Sequence, residues 1–194
     1  MARKTQISKE VILEAAFKML LRDGYSTISI TSLGKEIGCS TQPIAWHFGN
    51  MDGLRDALLQ HCLEHIRTHF AISGDSVSSI LTEIQRRYII LAFDYPNLYK
   101  YLYMTDQDCK QNQELIAAIR FPNYEQLLCQ LQQDHGVSKS AAQRYLLDVQ
   151  LYVHGIASCA VANIPVSFKD DVMTMIHDAN EAFFAKMIKT IKTD

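Results

Sequence analysis

Apolar residues recur every three or four positions along most of this chain, which is the spacing of one face of an α-helix. Ile12, Ala16 and Met19 follow this spacing near the start, and residues 172–191 follow it near the end. No long stretch alternates between apolar and polar residues, as a half-buried strand would require. The chain also has only eight glycines and four prolines to interrupt helices. The pattern predicts an all-α protein.

Residues 29–48 predict two short helices joined by a tight turn, the arrangement of a helix-turn-helix. Ser29 can cap a helix that Gly38 ends, because glycine readily adopts the positive φ found after a helix C-terminus. Ser40 is placed to cap the second helix, and Pro43 fits its first turn, where backbone N–H groups have no intrahelical acceptor. Such a pair of helices also occurs in proteins that bind no nucleic acid, so the surrounding sequence has to support the interpretation.

The second of these helices is predicted to have one buried face and one exposed face. Ile44 and Phe48, four residues apart, would pack against the domain. The other side chains would face outward, where Gln and Thr can read base edges in a DNA major groove. The predicted DNA-contact residues are Ser29, Thr31, Ser40, Thr41, Gln42, Pro43, Trp46 and His47.

The chain is predicted to form a small N-terminal domain and a larger C-terminal domain. Residues 1–50 would form a three-helix DNA-binding domain that contains the helix-turn-helix. Asn50 can cap a linking helix over residues 51–70, and the apolar periodicity stops near Gly74. Residues 71–194 would form a helical domain for ligand binding and dimerisation.

The order of residues in roughly the first 65 positions resembles the tetracycline-repressor (TetR) family of bacterial transcription regulators. Beyond that region the likeness is architectural, because ligand domains of this family differ widely in sequence. The resemblance rests on Ile12–Ala16 (ILEAA), Gly24–Ile28 (GYSTI), Gly38–Ser40 (GCS), Trp46–Phe48 (WHF) and Leu54.

The resemblance implies a helix-turn-helix head followed by a helical body, and homodimers whose two heads bind a palindromic operator. It further implies a ligand-responsive regulator, expected to be a repressor that an effector releases from double-stranded DNA. The aromatic residues of the body favour a small apolar or aromatic effector. Two positions depart from the family. Many members have a phosphate-contacting Tyr where this chain has Ala45, and a Lys where it has Met51. Because phosphate contacts supply much of the affinity for DNA, we expect weaker binding than in a typical member.

Two other functions remain open at this point. A co-regulator with the same fold could have lost autonomous DNA binding and could act through a protein partner, as Ala45 and Met51 suggest. An enzyme has little support, because the sequence offers no paired carboxylates, phosphate-binding glycine loop or Ser-His-Asp set. We therefore predict no catalytic residues and no cofactor.

Charge and composition change this picture only slightly. Residues 1–60 contain seven Lys or Arg against six Asp or Glu, and the remainder contains twelve against fifteen, in agreement with the net charge of −2. This gradient is too small to identify a DNA-binding protein by itself. The absence of a long apolar run, of a signal-peptide pattern and of paired CxxC cysteines favours a cytoplasmic protein with no membrane span and with reduced thiols.

Aromatic residues of the body suggest an apolar ligand pocket with a few polar groups. Ordinary core packing is the alternative for each of these side chains. The predicted pocket residues are Tyr88, Tyr103, Met104, Phe121, Tyr124, Tyr152 and His154.

The last two helices are predicted to carry apolar residues on more than one side, as helices of a homodimer interface do. The alternative is that these residues complete the core of a monomer. The predicted interface residues are Ala157, Ala160, Val161, Phe168, Met173, Phe184 and Met187.

Three histidines follow one another at intervals of four residues on the predicted linking helix: His61, His65 and His69. Imidazoles four residues apart can share Zn²⁺ or Ni²⁺. No carboxylate or thiol is clearly placed to complete such a site, so a solvated or interdomain helix face is the favoured interpretation, and no metal is predicted.

Overall fold

The computed structural model describes residues 7–69, 74, 76–104, 124–164 and 169–189. Nine α-helices and no β-strand lie in these ranges, which confirms the all-α class. A 3₁₀ turn, Tyr25–Thr27, separates the first two helices. The helices are α1 (Lys9–Asp23), α2 (Ile30–Ile37), α3 (Gln42–Phe48), α4 (Met51–His69), α5 (Val77–Asp94), α6 (Pro96–Tyr103), α7 (Tyr124–His135), α8 (Lys139–Val161) and α9 (Lys169–Lys189).

The chain forms two compact units. Met1–Ala71 and Tyr95–Asp106 make up the first, which we call the head unit. Ile72–Asp94 and Gln107–Asp194 make up the second, the body unit. Residues 95–106 therefore belong with the head and not, as the sequence predicted, with a domain over residues 71–194.

Helix α6 belongs to the head unit because its side chains bond to the backbone of other head helices. The Asn97 side-chain amide donates to the carbonyl of Leu21 at 3.1 Å, at the end of α1. The Tyr101 hydroxyl donates to the carbonyl of Arg55 on α4 at 3.0 Å. Both acceptors lie far from α6 in the sequence, so no local pattern indicated this packing.

One apolar core joins the helices of the head unit. The exposed Arg22 guanidinium adds a two-pronged ion pair from α1 to Glu36 on α2, with distances of 3.0 and 3.1 Å. Such exposed pairs contribute little stability, so burial of apolar surface is the main stabilising contribution. The almost fully buried side chains are Ile12, Ala16, Leu20, Leu33, Ile44, Leu54, Leu58 and Cys62.

Helices α5, α7, α8 and α9 build the core of the body unit. Their buried residues repeat at helical spacing, as the sequence pattern indicated. The core residues are Val77, Ile80, Leu81, Ile84, Leu127, Leu128, Leu131, Val137, Ala142, Tyr145, Leu146, Val149 and Met187.

A polar pair crosses this unit between α5 and α9. Gln85 is only 1% exposed. Its amide nitrogen donates to the Asn180 side-chain oxygen at 3.0 Å, and the Asn180 amide nitrogen donates back to the Gln85 oxygen at 2.8 Å. Each amide provides the hydrogen-bond partner of the other, so burying Gln85 leaves no polar group of the pair unpaired. The pair also fixes the register of α9 on α5.

Replacing one of these two amides should lower the free energy of unfolding more than replacing both. We expect Gln85→Leu to lower the free energy of unfolding by about 2 kcal/mol, because the Asn180 amide then loses its partner. Gln85→Leu combined with Asn180→Leu should recover at least about half of that loss. Urea unfolding followed by circular dichroism measures both. Equal losses in the single and double variants would contradict this interpretation.

The four described cysteines are free, and they differ in exposure: Cys62 is buried, Cys39 and Cys159 are half-buried, and Cys129 is exposed. Burial raises the pKa of the Cys62 thiol to about 12, so this thiol is unreactive near neutral pH. None of the described helices is both long enough and apolar enough to cross a lipid bilayer.

Candidate nucleic-acid interface

Helix α2 begins and ends where the sequence predicted. The Ser29 hydroxyl accepts from the backbone N–H of Ser32 at 3.0 Å, and the Ser32 hydroxyl accepts from the N–H of Ser29 at 2.8 Å. This reciprocal arrangement is a capping box. Gly38 ends the helix in the left-handed conformation, with φ of 76°. The Ser29 hydroxyl therefore fixes the start of α2, and Thr31 is exposed in the first turn of that helix.

Helix α3 starts one residue later than predicted. Its N-cap is Thr41 and not Ser40, and the Thr41 side chain makes no capping hydrogen bond. The reason is that Thr41 already has helical backbone angles, with φ of −70° and ψ of −15°, whereas a capping side chain needs an extended backbone. Pro43 lies in the first turn, as expected. Ser40 and Thr41 are both exposed, and the Thr41 hydroxyl is not used to cap α3.

Helix α3 presents a narrow outward face. Ile44 is completely buried and holds the helix to the head core. Gln42, Ala45 and Trp46 are exposed, with Trp46 keeping 70% of its surface accessible. Positions 42, 45 and 46 share one side of a helix, so these side chains form a single surface. The exposure of these side chains agrees with the sequence pattern, and their contact with DNA stays a prediction.

The corner between α3 and α4 is tightly built. The Asn50 side-chain oxygen accepts from the N–H of Gly53 at 3.0 Å, which confirms the predicted capping of α4. A Cβ atom on Gly53 would lie 2.1 Å from the carbonyl oxygen of Phe48. Only glycine fits this approach, so the end of α3 is held against the start of α4 by backbone atoms.

His47 is half-buried and is bonded within the protein. Its Nε2–H donates to the backbone carbonyl of Ile7 at 2.9 Å, just before α1. Its ring packs edge-on against the Trp46 indole, with centroids 4.6 Å apart. Phe48, the residue after His47, has the Lys9 ammonium 5.7 Å from the centre of its ring. The sequence pattern could not indicate the contact with Ile7, because a backbone carbonyl has no residue signature.

Most basic side chains of the head unit are paired with acidic ones. Lys9 and Lys35 make no ion pair with any residue that the structure describes. Because neutralised cations contribute little to a phosphate-binding field, these two lysines are the main available positive charges within residues 7–69. The pairs are Lys18–Glu14, Arg22–Glu36, Arg55–Asp52 and Arg67–Glu64.

The predicted pocket residues do not form one group. Tyr88 and His154 meet in the body unit, with the hydroxyl 2.7 Å from His154 Nδ1. Tyr152, two residues before His154 on α8, faces α9 and packs against Phe183 with ring centroids 6.1 Å apart. Residues two apart on a helix point in nearly opposite directions, so Tyr152 and His154 cannot line the same cavity.

The other predicted pocket residues are also dispersed. Tyr103 belongs to the head unit and packs against Tyr99 with tilted rings, whose centroids are 5.0 Å apart. Met104 follows it in the same unit and is exposed, and Tyr124 packs against the body core. Phe121 lies outside the described residues.

Ser158 extends the Tyr88–His154 pair, and no sequence pattern indicated it. Its hydroxyl lies 3.5 Å from His154 Nε2, one turn along α8. Burial lowers the pKa of His154, so its imidazole is neutral at pH 7. The three side chains form a neutral polar line between α5 and α8.

The predicted dimer interface is wrong for three residues. Ala157, Val161 and Met187 are 0%, 4% and 4% exposed within a single chain, so they serve the body core. Ala160, Met173 and Phe184 are half-buried, and Phe168 lies outside the described residues. The exposed large apolar side chains of these two helices are Leu147, Leu151 and Met175.

The histidines of α4 do not form a metal site in the described structure. His61 Nε2 lies 3.7 Å from a Glu14 carboxylate oxygen, and the rings of His61 and His65 both pack against Phe17. The side chain of His69 lies outside the described residues. Within the described part, no group of three or more possible ligands surrounds one point.

The head unit contains the part of the chain that matches a known family. Residues 12–58 match the model of the bacterial regulatory proteins of the tetR family. This range spans α1, the helix-turn-helix and the start of α4. Residues 12–58 therefore form a DNA-binding domain of the TetR type. No curated protein shows significant sequence similarity to the chain.

Solved TetR-family structures share the fold over nearly the whole chain. A protein from Rhodococcus sp., assigned to the TetR-family transcriptional regulators, is 17% identical, with a TM-score of 0.68, and the match covers 90% of this chain and 97% of that one. MexZ, a repressor responsible for antibiotic resistance in Pseudomonas aeruginosa, is 14% identical, with a TM-score of 0.64 and coverage of 89% and 92%. At these identities, the likeness establishes the TetR-like fold.

A third TetR-family structure was solved with a ligand. It is a TetR variant from Acinetobacter baumannii AYE in complex with minocycline. It is 19% identical to this chain, with a TM-score of 0.54, and the match covers 96% of this chain and 97% of that one.

Proposed function

We propose that the chain is a ligand-responsive transcriptional repressor that binds a palindromic operator as a homodimer. The observation that carries this proposal is the outward face of α3, where Trp46 is 70% exposed directly beside the buried anchor Ile44. Leaving a tryptophan largely in water gains nothing for folding, so a surface of this kind indicates a binding role.

The groove-facing residues in this proposal are Gln42, Thr41 and Trp46. An amide can pair with adenine, a hydroxyl can bond to a base edge or a phosphate, and an indole can pack on a thymine methyl or a sugar. Lys35, exposed in the last turn of α2, is a candidate for a phosphate contact.

Replacing Met51 with lysine tests whether this head has lost a phosphate contact. It is the first residue of α4, where many family members have a lysine. We expect Met51→Lys to tighten DNA binding and to steepen the dependence of log Kd on log salt by about 2 for a dimer, since each added phosphate contact contributes about 0.9. Fluorescence anisotropy at several salt concentrations measures this.

The neutral variant Met51→Gln serves as the control, and its salt dependence should equal that of the unmodified protein. If Met51→Lys left the slope unchanged, residue 51 would not lie near a phosphate.

For dimerisation, we propose the exposed apolar stripe of α8 together with the adjoining face of α9. Leu147, Leu151 and Gly155 are exposed and four residues apart, so they share one side of α8. On α9, Met175, Ala182 and Ala185 are exposed at intervals of seven and three residues, which places them on one face. Small residues beside large apolar ones allow two helices to approach closely. Both stripes lie on the last two helices, where the homodimer was expected.

We propose that the effector binds in the body unit next to Tyr88, His154 and Ser158. These groups offer hydrogen bonds without a net charge, which suits a small, uncharged, largely apolar or aromatic molecule. Such an effector can release DNA only by binding the free conformation more tightly than the DNA-bound one.

Titration of the fluorescently labelled upstream region of the chain's own gene tests DNA binding directly. We expect saturable binding that weakens as salt rises and that competes with an unlabelled specific duplex. Sedimentation at micromolar concentration tests the dimer separately, with an expected mass twice the 22.1 kDa of one chain.

A second candidate function is a co-regulator with the same fold that acts through a protein partner. The paired cations of the head and the presence of Ala45 favour it. The two functions differ in one result. A dimer of intact fold that binds no duplex at 50 mM salt supports the co-regulator, because even non-specific DNA binding is strong at low salt.

A further inference from the structure

We infer that His47 is a positioning residue for DNA binding and that it does not itself touch the DNA. This inference rests on the proposed function. It concerns how the outward face of α3 is held, and it changes the role that the sequence suggested for His47.

His47 is bonded to a group that can only accept a hydrogen bond. The Ile7 carbonyl is only an acceptor, so the proton of the bond at 2.9 Å must be on His47 Nε2. A phosphate oxygen also only accepts, so the Nε2 proton of His47 cannot serve both the Ile7 carbonyl and a phosphate.

The bond from His47 to Ile7 connects two helices of the head unit. Ile7 lies directly before Ser8, whose hydroxyl caps α1 by accepting from the N–H of Val11. His47 is in the last turn of α3. The bond therefore ties the end of the recognition helix to the start of α1, two segments 40 residues apart.

The His47 ring also contacts the Trp46 indole. An indole that is 70% exposed touches little of the protein. Its packing against the His47 ring, at 71° between the planes, is therefore an important restraint on its orientation. By holding α3 and supporting the indole, His47 sets the direction in which Trp46 points.

Three variants separate positioning from direct contact. His47→Gln keeps an N–H donor near the place of Nε2, whereas His47→Asn is too short to reach Ile7 and His47→Ala removes the donor. For a dimer on its upstream duplex, we expect His47→Ala and His47→Asn to weaken binding by about a hundredfold, or tenfold per head, which equals about 1.4 kcal/mol per hydrogen bond. His47→Gln should recover most of this loss.

The salt dependence provides the readout that a direct charged contact would change. With positioning, the slope of log Kd against log salt should be the same for His47→Ala and the unmodified protein. A slope shallower by about 0.9 per head would indicate a lost phosphate contact and would overturn the inference. So would equal losses in the Ala and Gln variants, or an Ala variant that binds normally.

A measurement without DNA keeps this inference separate from the proposed function. Trp46 is the only tryptophan of the chain, so intrinsic fluorescence reports on this one side chain. We expect lower fluorescence anisotropy of Trp46 in His47→Ala than in the unmodified protein, and partial recovery in His47→Gln.

If no duplex binds the unmodified protein, the proposed function fails. The fluorescence anisotropy of Trp46 then still tests whether His47 positions that side chain. A drop that glutamine reverses supports its positioning role. An unchanged anisotropy in His47→Ala overturns it.

Discussion

Replacing Trp46 with alanine is expected to reduce operator affinity by about a thousandfold while leaving the protein folded. Buried tryptophans at the centre of an interface contribute about 2 kcal/mol or more each, and a dimer on a palindrome buries two. The stability of the head should hardly change, because Trp46 is 70% exposed in the free protein. Anisotropy titration measures the affinity, and thermal denaturation by circular dichroism measures the stability.

Tyr95→Ala is the matched control, since Tyr95 is an aromatic residue 42% exposed in the same unit but outside the helix-turn-helix. Its effect on affinity should be less than about threefold, as for a residue away from the interface core. If the Trp46 and Tyr95 variants bound DNA equally well, the outward face of α3 would not be the contact surface, and the co-regulator would become the better proposal.

Leu151→Glu is expected to convert the protein to a monomer and, as a consequence, to lose most of its operator binding. Leu151 is 59% exposed in the single chain and lies at the centre of the apolar stripe of α8. In a two-fold symmetric interface the change places two carboxylates together in an apolar contact, which weakens association by about a thousandfold or more. Sedimentation velocity at about 10 μM then gives the 22.1 kDa mass of one chain.

Gln133→Glu adds the same charge at an exposed position of α7 and should leave the dimer intact. A Leu151→Glu protein that still sediments as a dimer would show that the two copies meet elsewhere. A monomer with unchanged DNA affinity would instead separate dimerisation from operator binding.

The helices of the head could be predicted from sequence because their signals are local. Gly38 ends α2 through its own backbone freedom, and Asn50 caps α4 through an atom only three residues from its partner Gly53. Ile44 marks the buried side of α3, and helical geometry then determines that Gln42 and Trp46 face away from it. The exposed face of the candidate interface was therefore predictable from a few residues.

The proposed dimer-forming face was not predictable in the same way. Periodicity shows that α8 and α9 carry apolar residues on more than one side, but it does not show which side meets α5 and α7. The predicted residues Ala157 and Val161 turned inward, whereas Leu147 and Leu151, left out of the prediction, turned outward. Only the packing of four helices distinguishes a core residue from an exposed apolar one.

By itself, the sequence determined the all-α class, the helix-turn-helix and the outward direction of α3, because helix caps and the 3.6-residue period act over a few neighbouring residues. The tertiary structure alone decided that Gln85 is buried against Asn180, that α6 belongs to the head, and that His47 is tied to Ile7. Each of these contacts joins residues at least 40 positions apart, and long-range polar contacts of this kind have no periodic signature in a sequence.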